Sequence, residues 1–156
     1  MVDTVSHGFW SYIIFNSAIA FPFMWWAIFF GMMPDLFSWT IYAIYSMFRR
    51  KRLGKPNLKE IPNWAFTLYG ITHSVFVGAL AFVIVYLVNG TIPIYLWAWP
   101  IHILFDIPTH SRKFLPTPFL WPFFKWKFPG ISWAEPWLFI LNWSLIIIFI
   151  LILLLV

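Results

Sequence analysis

ISWAEPWLFILNWSLIIIFILILLLV, residues 131–156, contains one acid, no basic residue and an unbroken apolar run from Leu145 onward. About twenty apolar residues at a rise of about 1.5 Å each cross a hydrocarbon core, so this stretch predicts a membrane-spanning helix. The rest of the 156-residue chain has the same character: 62% of it is hydrophobic and 10% charged, against about a quarter charged in a typical soluble domain. A soluble chain of this length keeps a large water-facing surface that needs polar side chains, and this sequence does not have them. Lipid must cover the difference. Apolar runs in every part of the chain leave no room for a separate soluble module, which predicts one integral membrane domain over residues 1–156.

Two further segments, 8–30 and 63–88, are long and apolar enough to span. A fourth, 91–111, has the length but contains Pro93, Pro100 and Pro108 together with His102 and Asp106, which predicts a kinked or partly unwound helix. A fifth, 32–48, is short and fits a tilted helix starting at Pro34, a residue suited to a first helical turn. The expected fold is all-α, a polytopic transmembrane bundle of four to five spans with a kinked fourth helix.

All ten basic residues fall in two stretches, RRKRLGKPNLK at 49–59 and Arg112, Lys113, Lys125 and Lys127. With five spans both stretches lie on one side. The positive-inside rule makes that side the cytoplasm, with the N-terminus inside, residue 156 outside, and the chain in the inner (cytoplasmic) membrane. The net charge of +5 is thus explained by topology and not by a nucleic-acid partner. Trp64, Trp133 and Trp137 fall near inner ends and Trp25, Trp26, Trp97 and Trp99 near outer ends, while Trp143 breaks the pattern. The N-terminus carries an acid and no base, unlike a cleavable signal peptide, so the first span is expected to stay. Between them, FLPTPFLWPFFKWKFPG at 114–130 has four prolines, which forbid a regular helix, and aromatics that favour the inner membrane interface, most simply as an anchor.

Cysteine is absent, which excludes disulfides, thiolate metal sites and Cys nucleophiles; any metal site must use His and carboxylate. All four histidines, His7, His73, His102 and His110, lie at or inside spans, as do Asp35 and Asp106, whereas Asp3, Glu60 and Glu135 are interfacial. An acid deep in a bilayer costs about 2.5 to 3.5 kcal/mol on insertion scales, so it faces the interior and carries a partner. His102, Asp106 and His110 are spaced by four and share a helix face. One intramembrane histidine usually bonds a neighbouring helix; four with two aspartates form the ligand set that Zn²⁺ or Mn²⁺ accepts. By helical rise, Asp35, His73 and His102 lie roughly 21, 16 and 15 Å from the inner boundary, and Asp106 and His110 roughly 9 and 3 Å, with His7 near the latter pair. The expectation is one or two divalent ions in one or two layers, in a cavity opening to the inner leaflet, with His102 and His110 sharing an ion only if the backbone bends at Pro108.

In order, SHG at 6–8, MPDLFS at 33–38, THS at 72–74 and HILFDIPTHS at 102–111 resemble the bacterial inner-membrane metal-dependent hydrolases, some of whose members are described as LexA-regulated. That family has a His-Gly or His-Ala element, a Pro-Asp-x-Asp element, a Thr-His-Ser element and a His-x-x-x-Asp element. The resemblance implies metal-ligand roles for His7, Asp35, His73, His102 and Asp106, with Thr72 and Ser74 orienting ligands or substrate. The sequence departs from the pattern at Phe37, where the second Asp of Pro-Asp-x-Asp would stand, and at Leu68 and Tyr69, where a His-Arg pair often precedes Thr-His-Ser. His110 is a candidate for the missing ligand.

As a hydrolase, the protein would use the metal to activate water and polarise a phosphoryl or carbonyl oxygen, with Asp106 or Asp35 accepting the proton. The location favours a small amphiphilic substrate drawn from membrane lipid, with Arg112 and Lys113 attracting its phosphate. No Ser-His-Asp arrangement follows from the adjacent pairs His73-Ser74 and His110-Ser111. Two other classes stand beside this one: an intramembrane metal-ion or proton transporter or channel, and a non-catalytic membrane subunit.

Overall fold

Asp3 opens the first helix by accepting the Ser6 N–H on its carboxylate at 2.8 Å, which caps α1, Thr4–Phe15. The computed structural model describes residues 3–50 and 57–155, and among these every regular element is helical. Arg49, Lys59 and the loop cations after residue 111 are described; the part of the first basic stretch at 51–56, and residue 156, lie outside the described residues.

The segment 8–30 is two helices and not one span. After α1 the chain turns at residues 16–23, where Pro22 lacks an N–H and Asn16 and Ser17 favour local turns. It returns as α2, Met24–Asp35, antiparallel to α1. The pair approaches closely because Gly8 faces Met32 and Gly31 faces Ser11. A Cβ on Gly31 would lie 1.9 Å from the Ser11 hydroxyl and 3.1 Å from the His7 carbonyl. Phe15, Met24, Ala27 and Ala98 close one end of this hairpin as a buried apolar cluster.

Pro34 does not start a helix; it sits inside one. The helix runs 26 residues from Met24 to Arg49, through a π-helical turn at Leu36–Thr40 and into α3, Ile41–Arg50. A proline removes one backbone donor, and here the helix absorbs the loss by widening. Ser38 donates its hydroxyl to the Pro34 carbonyl at 2.6 Å just at that turn. Beyond it, Tyr42 packs with Ile61, Ala65 and Leu115 in a second apolar cluster. Asp35 therefore lies on one long helix between two apolar plugs.

The segment 63–88 is also broken. α4, Asn63–Thr72, and α5, Val75–Asn89, meet at a 53° bend at His73 and Ser74. Ser74 causes the restart: its hydroxyl oxygen accepts from the Phe76 and Val77 N–H groups as an N-cap and donates to the Trp121 carbonyl. Gly90, at φ 71°, ends α5 in the left-handed conformation that glycine adopts freely. A 3-10 turn, Ile94–Trp97, leads to α6, Ala98–Thr109, so the segment expected to be kinked is helical for 12 residues and ends before His110, which is extended. Residues 110–135 form no helix longer than a turn, as their prolines require. They double back on the end of α6 through Ile131 N–H to the Pro108 carbonyl and Trp133 N–H to the Thr109 carbonyl, both 2.9 Å.

α7, Pro136–Leu155, has a mean hydropathy of 3.0 and buries only Ile146 among its described side chains. Two indole N–H groups pin it to α1: Trp143 to the Asp3 carboxylate and Trp10 to the Asn142 amide oxygen, each at 2.9 Å. Among the described residues two helices, Met24–Arg49 and Pro136–Leu155, are long and apolar enough to cross a membrane, or three if α4 and α5 make one bent span.

Candidate metal centre

Four side chains from three parts of the fold converge between the apolar plugs. Asp35 ends α2, His73 occupies the bend between α4 and α5, and His102 and Asp106 stand one turn apart on α6. One ligand atom from each lies within 4.8 Å of all the others. Asp35, His73 and Asp106 are 0% exposed and His102 is 2% exposed.

The hydrogen bonds around the imidazoles fix which nitrogen carries hydrogen. His102 Nδ1 lies 2.7 Å from the Gly31 carbonyl, which can only accept, so Nδ1 is the protonated nitrogen. His73 Nδ1 lies 3.2 Å from the Tyr69 carbonyl and 2.9 Å from the Thr72 hydroxyl, which itself donates to the Leu68 carbonyl at 3.0 Å. His73 Nδ1 therefore donates as well. With both rings neutral, both Nε2 lone pairs then point inward, 3.1 Å from each other. Asp106 Oδ2 is 3.3 Å from His73 Nε2 and 3.4 Å from His102 Nε2, and Asp35 Oδ1 is 3.7 Å from His73 Nε2. Among the described residues neither of these two carboxylate oxygens has a hydrogen-bond partner.

In that state the four lone-pair donors repel one another, and burying two carboxylates without compensation is costly. A divalent cation removes both problems, since neutral imidazole and carboxylate are the ligands it takes and its charge cancels theirs. The buried Asp35, His73, His102 and Asp106 group can hold a metal ion.

The outward oxygens of both carboxylates are held by α1. The Thr4 hydroxyl donates to Asp35 Oδ2 at 3.0 Å, and His7 Nε2 lies 3.0 Å from Asp106 Oδ1. Thr4 and His7 are three apart on one helix face, so a single capped first turn orients both aspartates. Orienting groups of this kind fix ligand geometry and tune the ion. Thr4 was not singled out by the sequence; its signal is the i, i+3 spacing to His7 behind the Asp3 cap.

Of the remaining sequence candidates, His7 stands outside the four-atom set, with its ring 3.8 Å from that of His102. His110 also stands outside it: Nδ1 donates to the Asp106 carbonyl at 3.0 Å and lies 3.6 Å from Asp106 Oδ1. Of the one or two layers expected from helical rise, the structure shows one, in which Asp106 joins Asp35, His73 and His102. Rise counts Cα positions, whereas side chains four apart on a helix reach a common point. Thr72 touches His73 directly, while Ser74 caps α5 and positions the bend. Trp99 is not an interfacial anchor; it is buried and donates to the Thr72 carbonyl at 2.8 Å, tying α6 to α4. Arg112 and Lys113 are exposed; Arg112 donates Nε–H to the Lys127 carbonyl at 2.9 Å and lies over the Trp126 ring. Partial burial holds the Lys127 amine below the usual lysine range.

No protein-family model, curated protein or solved structure matches this chain.

Proposed function

We propose that the protein is a multi-pass, membrane-embedded, metal-dependent hydrolase acting on a phosphate ester of a small amphiphilic lipid. One observation carries this reading: two unpartnered carboxylate oxygens and two imidazole lone pairs converge inside an apolar bundle. The motif resemblance agrees with it. Zn²⁺ or Mn²⁺ suits the donor set.

Asp35, His73, His102 and Asp106 would hold the ion, which when bound lowers the pKa of a coordinated water and polarises a phosphoryl oxygen. Thr4 and His7 keep the outward carboxylate oxygens occupied and turn the inward ones toward the ion, and whichever of Asp106 and Asp35 is left unliganded would accept the proton. Arg112 and Lys113 draw the phosphate to the interface. In the topology we propose, α1, Met24–Arg49, the α4–α5 pair, α6 and α7 each cross, and the N-terminus and both basic stretches face the cytoplasm. α1 and α6, of 12 residues each, rise only about 18 Å and are the two shortest crossings of this topology.

Complete enclosure of the cluster favours a second reading, a non-catalytic or ion-conducting subunit, because structural metal sites are closed whereas catalytic ones keep an open position. Elemental analysis of the purified chain, with phosphate release from lipid phosphomonoesters in detergent, decides between them. Turnover that requires metal, and that Asp106→Asn or Asp35→Asn abolishes with metal still bound, supports the hydrolase. Ion flux into liposomes without turnover, or bound metal with neither, supports the second reading. Absence of stoichiometric metal sinks both.

A further inference from the structure

We infer that the loop at 110–135 presents a surface that selects anionic phospholipid headgroups. The inference goes beyond the metal-dependent reading and stands whether or not the donor cluster holds an ion. With no long helix to bury them, the rings of this loop stay outside: Phe123 is 69% exposed, Phe124 is 60% exposed, and Trp126 and Phe128 are exposed as well. An exposed apolar patch of this kind marks a membrane or protein contact. Arg112, Lys113, Lys125 and Lys127 lie in the same stretch, and no acid occurs at 111–134.

Two contacts bring the two halves of the cationic set together. Arg112 donates Nε–H to the Lys127 carbonyl at 2.9 Å, and its guanidinium carbon lies 5.9 Å from the centroid of the Trp126 ring. Arg112 is thus the brace. Lys113 follows it in the chain, Lys125 precedes Trp126, and both lysines are exposed. The loop is also bolted to the bundle: the Val75 N–H donates to the Phe119 carbonyl and the Thr117 hydroxyl to the Asp106 carbonyl, each at 3.0 Å. Its rings and lysines are therefore held in place before any partner arrives, which lowers the ordering cost of binding.

Continuity with α7 decides between lipid and an acidic protein as the partner. α7 begins at Pro136, directly after the loop, and is long and apolar enough to cross a membrane, so the loop sits at one end of a crossing helix. At that level rings meet the acyl boundary while ammonium groups meet lipid phosphates, and lysines without neighbouring acids favour anionic headgroups over zwitterionic ones.

The chain has no cysteine, so Phe124→Cys takes a single fluorophore. The full chain is reconstituted in phosphatidylcholine vesicles containing phosphatidylglycerol, and quenching is compared for spin-labelled phosphatidylglycerol and spin-labelled phosphatidylcholine at equal mole fraction. At low ionic strength the anionic probe is expected to quench at least about threefold more strongly, a preference that high salt removes. Adding Lys113→Gln and Lys125→Gln brings the two probes to parity while quenching by phosphatidylcholine persists. A fluorophore carried by Ile148→Cys, on the exposed side of α7, reports parity throughout. Parity at the loop with both lysines present makes it a neutral aromatic anchor and overturns the inference, as does a preference that survives the two Gln substitutions. Quenching by neither probe places the patch outside lipid and points to an acidic protein partner instead. Metal content enters none of these outcomes, so they are separate from the fate of the metal centre.

Discussion

α6 and α7 pass through the same bundle and are built on opposite logic. α7 has 20 residues, no charge, and a surface turned almost entirely outward. α6 has 12 residues and buries Ala98, Trp99, His102, Ile103 and Asp106. What α7 requires is a solvent: any side chain that lipid accepts will serve. What α6 requires is particular partners: a carbonyl on α2, an imidazole at the α4–α5 bend and donors on α1. Substitutions should therefore be costly in and around α6 and nearly silent on α7.

The sharpest test of that contrast is His73→Ala or His102→Ala. Each leaves buried carboxylates without compensation, so we expect loss of bound metal by elemental analysis and destabilisation of about 3–5 kcal/mol in detergent unfolding. Full metal content in both variants would dissolve the distinction. Next is Gly31→Ala. Its new methyl meets the Ser11 hydroxyl and the His7 carbonyl, and it displaces the carbonyl that holds His102. Overpacking of this kind costs about 1–3 kcal/mol, read as a lowered unfolding midpoint, and Ser11→Gly should return part of it.

Thr4→Val and His7→Phe remove the hydrogen bonds that orient the carboxylates and leave the four donor atoms in place. Metal titration should show affinity weaker by about 10–100-fold in each case, with the stoichiometry kept. Loss of stoichiometry in His7→Phe would instead make His7 a direct ligand. Ser74→Ala removes the α5 cap and should cost about 1 kcal/mol. At the far end of the scale, Ile148→Leu on the exposed side of α7 should shift stability by less than about 0.5 kcal/mol.

The same contrast explains what was readable beforehand. α7 is legible from hydropathy because its environment is uniform. The polar residues of the site were legible because a buried Asp or His needs a reason, and the four-residue spacing of His102 and Asp106 survives intact in α6. The helix breaks were not. Residues 8–30 and 63–88 look continuous by composition, since a turn at Pro22 or a capping Ser74 inside an apolar run changes hydropathy little while it redirects the chain. Pro34 misled in the opposite direction, marking a start where the helix continues. Depth counted along backbones grouped Asp35, His73 and His102 but set Asp106 apart from them, and Thr4 went unnoticed because a threonine in a first helical turn has many ordinary uses.

The π-helical turn after Asp35 has one more effect. An α-helix rotates about 100° per residue, so the additional residue held in that wide turn offsets everything beyond it by about that angle. Met24, Ala27, Gly31 and Asp35 face the hairpin and the donor cluster, while Tyr42, on the same rod, turns toward Ile61 and Leu115. Residues 36–40 act as a phase shifter between two halves of one helix. Deleting a single residue there would keep the rod but change its phase, setting the acid that completes the cluster at odds with the tyrosine that anchors the other end.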